Sequence, residues 1–346
     1  MRKLYIDKNL NLAFIYSDKI EKIIDLDKTM LKNIYAGRVK SINKSLGAAF
    51  IDLNGEIGFY QGKLGDLNET DIALFQVTKI QDEDKRVKLS LNVSIRGKYI
   101  VKFLYDDVVK ISKNIDKNRY IQLKKLSKKN NFKKILFRTE SKDVSDEILI
   151  KEYEYLTKLM EDIKKVALDR PKLIYEFDEL REFIRDNVFD VIITNSKEIY
   201  NKYKSFNIEF DEKLNLKFLN GPLQDYKNLF EEEIYLENSS SIIIEKTRAL
   251  TIIDVNGGAM EDGYTTNLKL ANEVVRQIML RNISGIILID FISMDSAEEV
   301  RFISEIKKIF DKDRTKINVY GFTNLGLLEL SRKSDRKKLL DKRGLI

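Results

Sequence analysis

The run GIILIDFIS (285–293) constrains the fold most. It is far too short to cross a bilayer, which takes roughly 20 apolar residues. It is also too apolar for an ordinary surface strand. A central strand of an α/β sheet satisfies both limits. Its one charge, Asp290, stands where the aliphatic run ends. The flanking segments agree. SIIIEK (241–246) and ALTIIDVN (249–256) alternate as strands. TNLKLANEVVRQIMLRN (266–282) carries apolar residues at helical spacing. SAEEVRFISEIKKIFDK (296–312) is a second helix, acidic early and lysine-rich late, as the helix dipole favours. KINVYGFT (316–323) is a strand, and the tail beyond Leu327 is predicted to be helical and basic.

Upstream, residues 1–33 predict short strands with turn residues such as Asn9 and Asn11. Residues 34–98 are the clearest all-β stretch. AGRVKSI, GAAFIDLN, IGFYQGKL, IALFQVTKI and VKLSLNVSI alternate between Gly, Asn and Asp breaks, which fits a small OB-fold barrel. A further strand follows, then a run with ten Lys/Arg against three Asp over residues 105–134. KKILFRT (133–139) is a buried strand and residues 145–168 a helix with Ser145 as N-cap. Pro171 closes that region. FDVIITN (189–195) is a strand, and Pro222 marks another boundary.

Composition limits the chemistry. The 346 residues contain no Cys and no His. Disulfides, thiolate metal sites and histidine acid–base chemistry are excluded, and a reducing cytoplasm is the natural compartment. An enzyme built this way uses carboxylates, Lys, Tyr, hydroxyls or a hard metal. The net charge of +7 points to an acidic partner. A lysine-rich solvated surface gives the same total. No long basic amphipathic helix with a strong apolar face argues for a membrane partner.

Two strand ends carry the strongest chemical signal. Asp254 and Asn256 stand where IIDVN meets a Gly pair, and Asp290 ends the apolar run. Carboxylates at strand carboxyl ends are where α/β sheets place their sites. Mg²⁺ takes one or two carboxylates and completes its shell with waters and a phosphate. Each Asp alone is equally a turn or cap residue. In the barrel, Phe50 and Phe59 lie near Arg38, Lys40, Lys44, Lys63 and Lys85. Aromatic rings beside cations hold single-stranded nucleic acid, although AAFID also suits Phe50 as barrel core. In FRTE (137–140), Arg138 and Thr139 offer a guanidinium and a hydroxyl to a terminal phosphate, or simply a solvated Arg and a capping Thr. The basic stretch SRKSDRKKLLDKR (331–343) is a solvated face or an RNA-backbone contact.

Together and in order, these motifs resemble the ribonuclease E/G family. LKNIYAGRV, GAAFIDL and IGF resemble its RNA-binding barrel, and ILFRTE with the long helix its 5′-monophosphate sensor. EKTRALTIIDVNGG, the 266–294 segment and GFTNLGLLELSRK resemble its DNase I-like catalytic region. The resemblance implies an α/β multidomain chain. An OB-fold barrel (34–99) is inserted in an RNase H-like element (1–33 and 185–245). A sensor-like region (100–184) and a DNase I-like domain (246–346) complete it. It implies a Mg²⁺-dependent endoribonuclease, with Mn²⁺ as substitute, that cuts single-stranded RNA to 5′-phosphate and 3′-hydroxyl ends in RNA processing or decay. Asp254 and Asp290 become metal ligands and Asn256 their positioning neighbour. Phe50, Phe59, Lys85 and Arg38 become RNA contacts, and Arg138 with Thr139 the 5′-phosphate pocket.

Departures from the family pattern qualify this. RTAG is RTES here, glycines expected near 108–111 are absent, and Ser293 replaces an Asp. DVNSGR is DVNGGA, and the 222–241 segment is short. The family's zinc-sharing cysteine pair and the small domain behind it are missing, so no zinc is expected and any homo-oligomer uses a zinc-independent interface. A catalytically inactive RNA-binding protein of the same fold is the competing reading.

Overall fold

The chain opens with three antiparallel strands, β1 (Lys3–Asp7), β2 (Leu12–Tyr16) and β3 (Ile20–Asp25). A computed structural model describes residues 1–80, 86–259, 262–311, 313, 315–333, 339 and 341–345. It divides into two compact units, Met1–Asp27 with Val188–Ile346, and Lys28–Asn187. The fold is mixed α/β.

The second unit begins with a barrel. Its strands are β4 (Ile34–Asn43), β5 (Ala48–Asp52), β6 (Ile57–Gln61), β7 (Ile72–Lys79) and β8 (Lys88–Ser90). β4 pairs with both β5 and β7, β6 with β8, and β8 with β7, so the barrel closes on five strands and is OB-like. Val39, Ile51, Phe75 and Val77 fill it. The predicted fifth strand is divided. Only Lys88–Ser90 joins the barrel, and β9 (Ser94–Arg96) starts a second sheet. That sheet adds β10 (Ile100–Phe103), β11 (Val109–Ile111) and β12 (Ile135–Phe137) in the order β11-β12-β10-β9. Two helices, α1 (Lys117–Lys129) and α2 (Asp146–Lys165), bury Leu123, Leu126, Leu149 and Leu156 in its core. β13 (Lys172–Tyr175) pairs with β4, and α3 (Glu179–Asp186) ends the unit.

The first unit resumes with β14 (Val191–Thr194), parallel to β1, then α4 (Lys197–Lys202) and β15 (Ile208–Phe210). Pro222 marks the start of an element. It lies in the first turn of α5 (Asn220–Asn228), where a missing N–H leaves no helical bond unmade. β16 (Glu233–Tyr235), β17 (Ser241–Lys246) and β18 (Leu250–Asn256) follow. Then come α6 (Gly263–Leu280), β19 (Gly285–Asp290), α7 (Ser296–Phe310), β20 (Ile317–Phe322) and β21 (Leu327–Arg332). The sheet order is β16-β17-β18-β19-β21-β20.

Two expectations change here. The start of the predicted helical tail is strand β21, an interior strand between β19 and β20. LLELSR alternates, and Leu328, Leu330 and Arg332 point into the core while Glu329 faces out. Arg332 is buried against Asp313 at 2.6 Å, and Lys342 is buried against Asp25 at 3.1 Å. These two cations are therefore structural and not solvated. Residues 334–338 and 340 of the basic stretch lie outside the described residues. The second change concerns GIILIDFIS. Its strand is interior in the sheet, yet α6 and α7 cover one face only. Ile287 and Ile289 are fully buried, while Ile286 on the other face is 49% exposed. Among the described residues no helix is long and apolar enough to cross a membrane.

Candidate active site and nucleic-acid interface

Strand periodicity sets the catalytic candidates. On β18, Thr251, Ile253 and Val255 face the helices, so Asp254 and Asn256 share the opposite, open face. On β19, Ile287 and Ile289 face the helices and Asp290 faces the open side. β18 and β19 run parallel, and Asp254 is the direct register partner of Asp290. Neighbouring strands lie about 4.8 Å apart, so two carboxylates sit side by side at the strand ends. The Asn256 Nδ2 donates to Asp254 Oδ2 at 3.1 Å.

Loops close in around this end. Gly258 has φ +61°, and a Cβ there would lie 2.3 Å from the Asn238 carbonyl oxygen. Gly263 opens α6, and a Cβ there would lie 2.6 Å from the Ser293 carbonyl oxygen. Only glycine lets the helix start approach the segment after Asp290 this closely. Asn267, one helical turn on, anchors Ile292 of that segment. Ser293 itself is exposed. Among the described residues no cluster of three carboxylate, His or Cys side chains forms. The donor set is thus two carboxylates and one carboxamide, all hard oxygen ligands, which suits a cation that keeps most of its waters. A cavity of about 320 Å³ lies elsewhere in the unit, lined by Lys246, Thr251 and Arg281 among others. Burial lowers the Arg281 pKa to about 10. The carboxylate pair does not line this cavity.

The barrel places the aromatics. Ala49, Ile51 and Tyr60 point inward, which turns Phe50 and Phe59 outward, and both rings are half-buried. They are register partners with ring centroids 5.6 Å apart. The Arg86 guanidinium lies 4.4 Å above the Phe50 ring, and Lys88 is the register partner of Phe59. Arg38 shares this outer face beside Asp52, and Lys40 pairs with Asp52 at 3.5 Å. Arg86 and Lys88 were not singled out in the sequence, although the alternation RVKLS carries both to the surface. Lys85 lies outside the described residues.

Arg138 is built into the protein. It is 6% exposed and donates to the Gly97 and Lys98 carbonyls at 2.6 and 2.7 Å. Its other end pairs with Glu140 at 2.9 Å and Asp186 at 3.6 Å. The Thr139 hydroxyl bonds that of Ser112 at 2.8 Å. Glu152 lies half-buried nearby, accepting from the amides of Lys98, Tyr99 and Ile100, and desolvation raises its pKa above the ordinary value.

The profile of the ribonuclease E/G family matches residues 94–335.

The chain belongs to the ribonuclease E/G family.

It is 27% identical to ribonuclease E of Synechocystis, over 97% of this chain and 57% of that protein. It is 28% identical to ribonuclease G of Haemophilus influenzae, over 89% of this chain and 73% of that protein. It is 28% identical to Escherichia coli ribonuclease E, over 87% of this chain and 33% of that protein. The chain therefore spans little more than half of the Synechocystis relative and a third of the Escherichia coli one.

Proposed function

We propose that this chain is a Mg²⁺-dependent endoribonuclease that cuts single-stranded RNA to 5′-phosphate and 3′-hydroxyl ends. The observation that carries the reading is the register pairing of Asp254 with Asp290 on the open face of a parallel strand pair. Membership of the ribonuclease E/G family supports it. In this reading the β16–β21 sheet is the DNase I-like region, and the sheet of β1, β2, β3, β14 and β15 is the RNase H-like element.

Asp254 and Asp290 hold the cation, and Mn²⁺ substitutes for Mg²⁺. When bound, the cation activates water and neutralises charge on the scissile phosphate. Asn256 fixes the Asp254 carboxylate through its amide and so positions the cation's shell or the scissile phosphate. With no His in the chain, no imidazole shuttles the proton. Phe50 and Phe59 stack bases, and Arg38, Lys85, Arg86 and Lys88 meet the backbone. Self-association, in this reading, is zinc-independent, because the 346 residues hold neither Cys nor His. A 5′-phosphate at Arg138 and Thr139 has to displace Glu140 first.

The test uses a labelled, unstructured RNA oligomer. Cleavage is expected with Mg²⁺, and EDTA or Asp290→Asn abolishes it. Cleavage that survives Asp254→Asn combined with Asp290→Asn overturns the site. Binding without turnover at any Mg²⁺ concentration supports the inactive RNA-binding reading instead.

A further inference from the structure

Helix α1 has a composition that neither the barrel nor the carboxylate site uses. KNRYIQLKKLSKK contains six cations and no acid. Its apolar face, Leu123 and Leu126, is spent in the core of the second unit. Arg119 is also committed, to Asp146 at 3.1 Å and the Val144 carbonyl at 2.7 Å. The remaining five cations, Lys117, Lys124, Lys125, Lys128 and Lys129, are all exposed. Among the described residues no carboxylate lies within ion-pair distance of any of them.

The spacing makes them one surface. At 100° per residue, Lys117, Lys124 and Lys128 fall within a narrow stripe, with Lys125 and Lys129 on its flank. The stripe from Lys117 to Lys128 is roughly 16 Å long at 1.5 Å per residue. Tyr120 borders it, 37% exposed, with the Lys124 ammonium 4.9 Å from its ring centroid. Five like charges on one helix face repel one another, so a folded chain gains by covering them with a polyanion. A flexible strand of phosphates with exposed bases fits a lysine stripe edged by an open aromatic ring.

We propose that the exposed face of α1 is a second contact site for single-stranded RNA, gripping its phosphate backbone, with Tyr120 stacking a base. This rests on the reading that the chain binds RNA. An anionic lipid surface would also attract lysines, but here the apolar side of the helix is buried in protein and is not available to enter a bilayer.

The experiment compares the full chain with Lys117→Gln/Lys124→Gln/Lys128→Gln, the matching triple Lys→Arg variant, and Phe59→Ala. Binding of a single-stranded RNA oligomer is followed by fluorescence anisotropy across a KCl series, with circular dichroism and melting curves to verify folding. The Gln variant is expected to bind about tenfold more weakly at low salt, with the log–log salt slope reduced by about 2, since single strands release roughly 0.7 counterions per phosphate contact. The Arg variant restores the slope. Phe59→Ala weakens binding and leaves the slope unchanged. A Gln variant with the wild-type slope overturns this inference alone. A wild-type chain that binds no RNA overturns the functional reading as well. If the Gln variant loses sedimentation with vesicles of phosphatidylserine and phosphatidylcholine while RNA binding stays intact, the inference is overturned in favour of lipid.

Discussion

The Asn267 carboxamide grips the Ile292 backbone from both sides. Its Nδ2 donates to the Ile292 carbonyl at 2.7 Å, and its Oδ1 accepts from the Ile292 amide at 3.1 Å. Asn267 is fully buried on α6, and Ile292 is two residues past Asp290. One side chain thus ties the segment just beyond β19 to the helix behind it. Asn267→Leu leaves a buried amide and carbonyl without partners, so a loss of about 1–3 kcal/mol is expected in urea unfolding. Asn267→Asp sets a carboxylate oxygen against the Ile292 carbonyl and buries a charge, so it should cost at least as much. If the role is positional, Mg²⁺-dependent cleavage drops further than the remaining folded fraction explains. Activity that simply tracks the folded fraction would leave Asn267 a purely structural residue.

Asp254 and Asp290 oppose each other across a parallel pair, and like charges in direct register destabilise a sheet. Without divalent cation, Asp290→Asn should therefore raise the melting temperature, by the equivalent of about 0.2–1 kcal/mol. With Mg²⁺ present the order should reverse. The wild type gains stability from the ion, by an amount that grows with concentration relative to Kd, and the Asp290→Asn variant does not. Thermal shift assays with and without Mg²⁺ check both halves. A variant less stable than wild type in EDTA would contradict the repulsion argument.

Much of this site was legible before the fold was known, and for definite reasons. The apolar run ending at Asp290 required an interior strand, and β19 is one. The IIDVN alternation put Asp254 and Asn256 on one face. The sequence did not reveal that this face is open, because GIILI looks the same whether one side is covered or two. The lysines that follow β21 give the whole tail a helical, solvated look in the sequence. Leu328 and Leu330 at alternate positions carried the contrary signal. Arg138 is the clearest limit. Its partners Gly97, Glu140 and Asp186 come from three separated segments, and no local pattern predicts their convergence.

Glu182 lies at the centre of a half-buried ion network in the second unit. Lys32 is at 2.9 Å, with Arg96 and Arg185 at 3.5 Å. Burial pushes its pKa up, but Lys32 and Arg96 outweigh that and hold it below the ordinary value. A depressed carboxyl stabilises the fold above its unfolded pKa of about 4.3, and this contribution is lost as pH falls through the folded value. Glu152 has the opposite sign. Its raised pKa favours the fold at low pH and loses that effect as pH rises through the folded value. Glu182→Gln should cost about 1–3 kcal/mol near neutral pH by removing the carboxylate that Lys32 bonds. It should also flatten the acid limb of a plot of urea midpoint against pH. An unchanged acid limb would show that other carboxylates dominate acid unfolding.

The Arg138–Glu140 contact makes a prediction about RNA ends. A guanidinium already bonded to two carbonyls and two carboxylates has little left to offer a phosphate. A 5′-phosphate would also meet the Glu140 charge. Oligomers with 5′-monophosphate and 5′-hydroxyl ends should therefore be cleaved at equal rates. Glu140→Ala removes one of the two carboxylates and the local repulsion, so a preference for the monophosphate of about tenfold or more should appear, since one hydrogen bond to a charged group contributes about 1.5–3 kcal/mol. Arg138→Lys on that background should erase the preference, because an ammonium cannot hold the Gly97 and Lys98 carbonyls and a phosphate in the same planar fork. Paired single-turnover assays on the two oligomers decide it. A wild-type chain that already favours the monophosphate, and loses that preference in Arg138→Lys, would mean that Glu140 yields its place to the RNA.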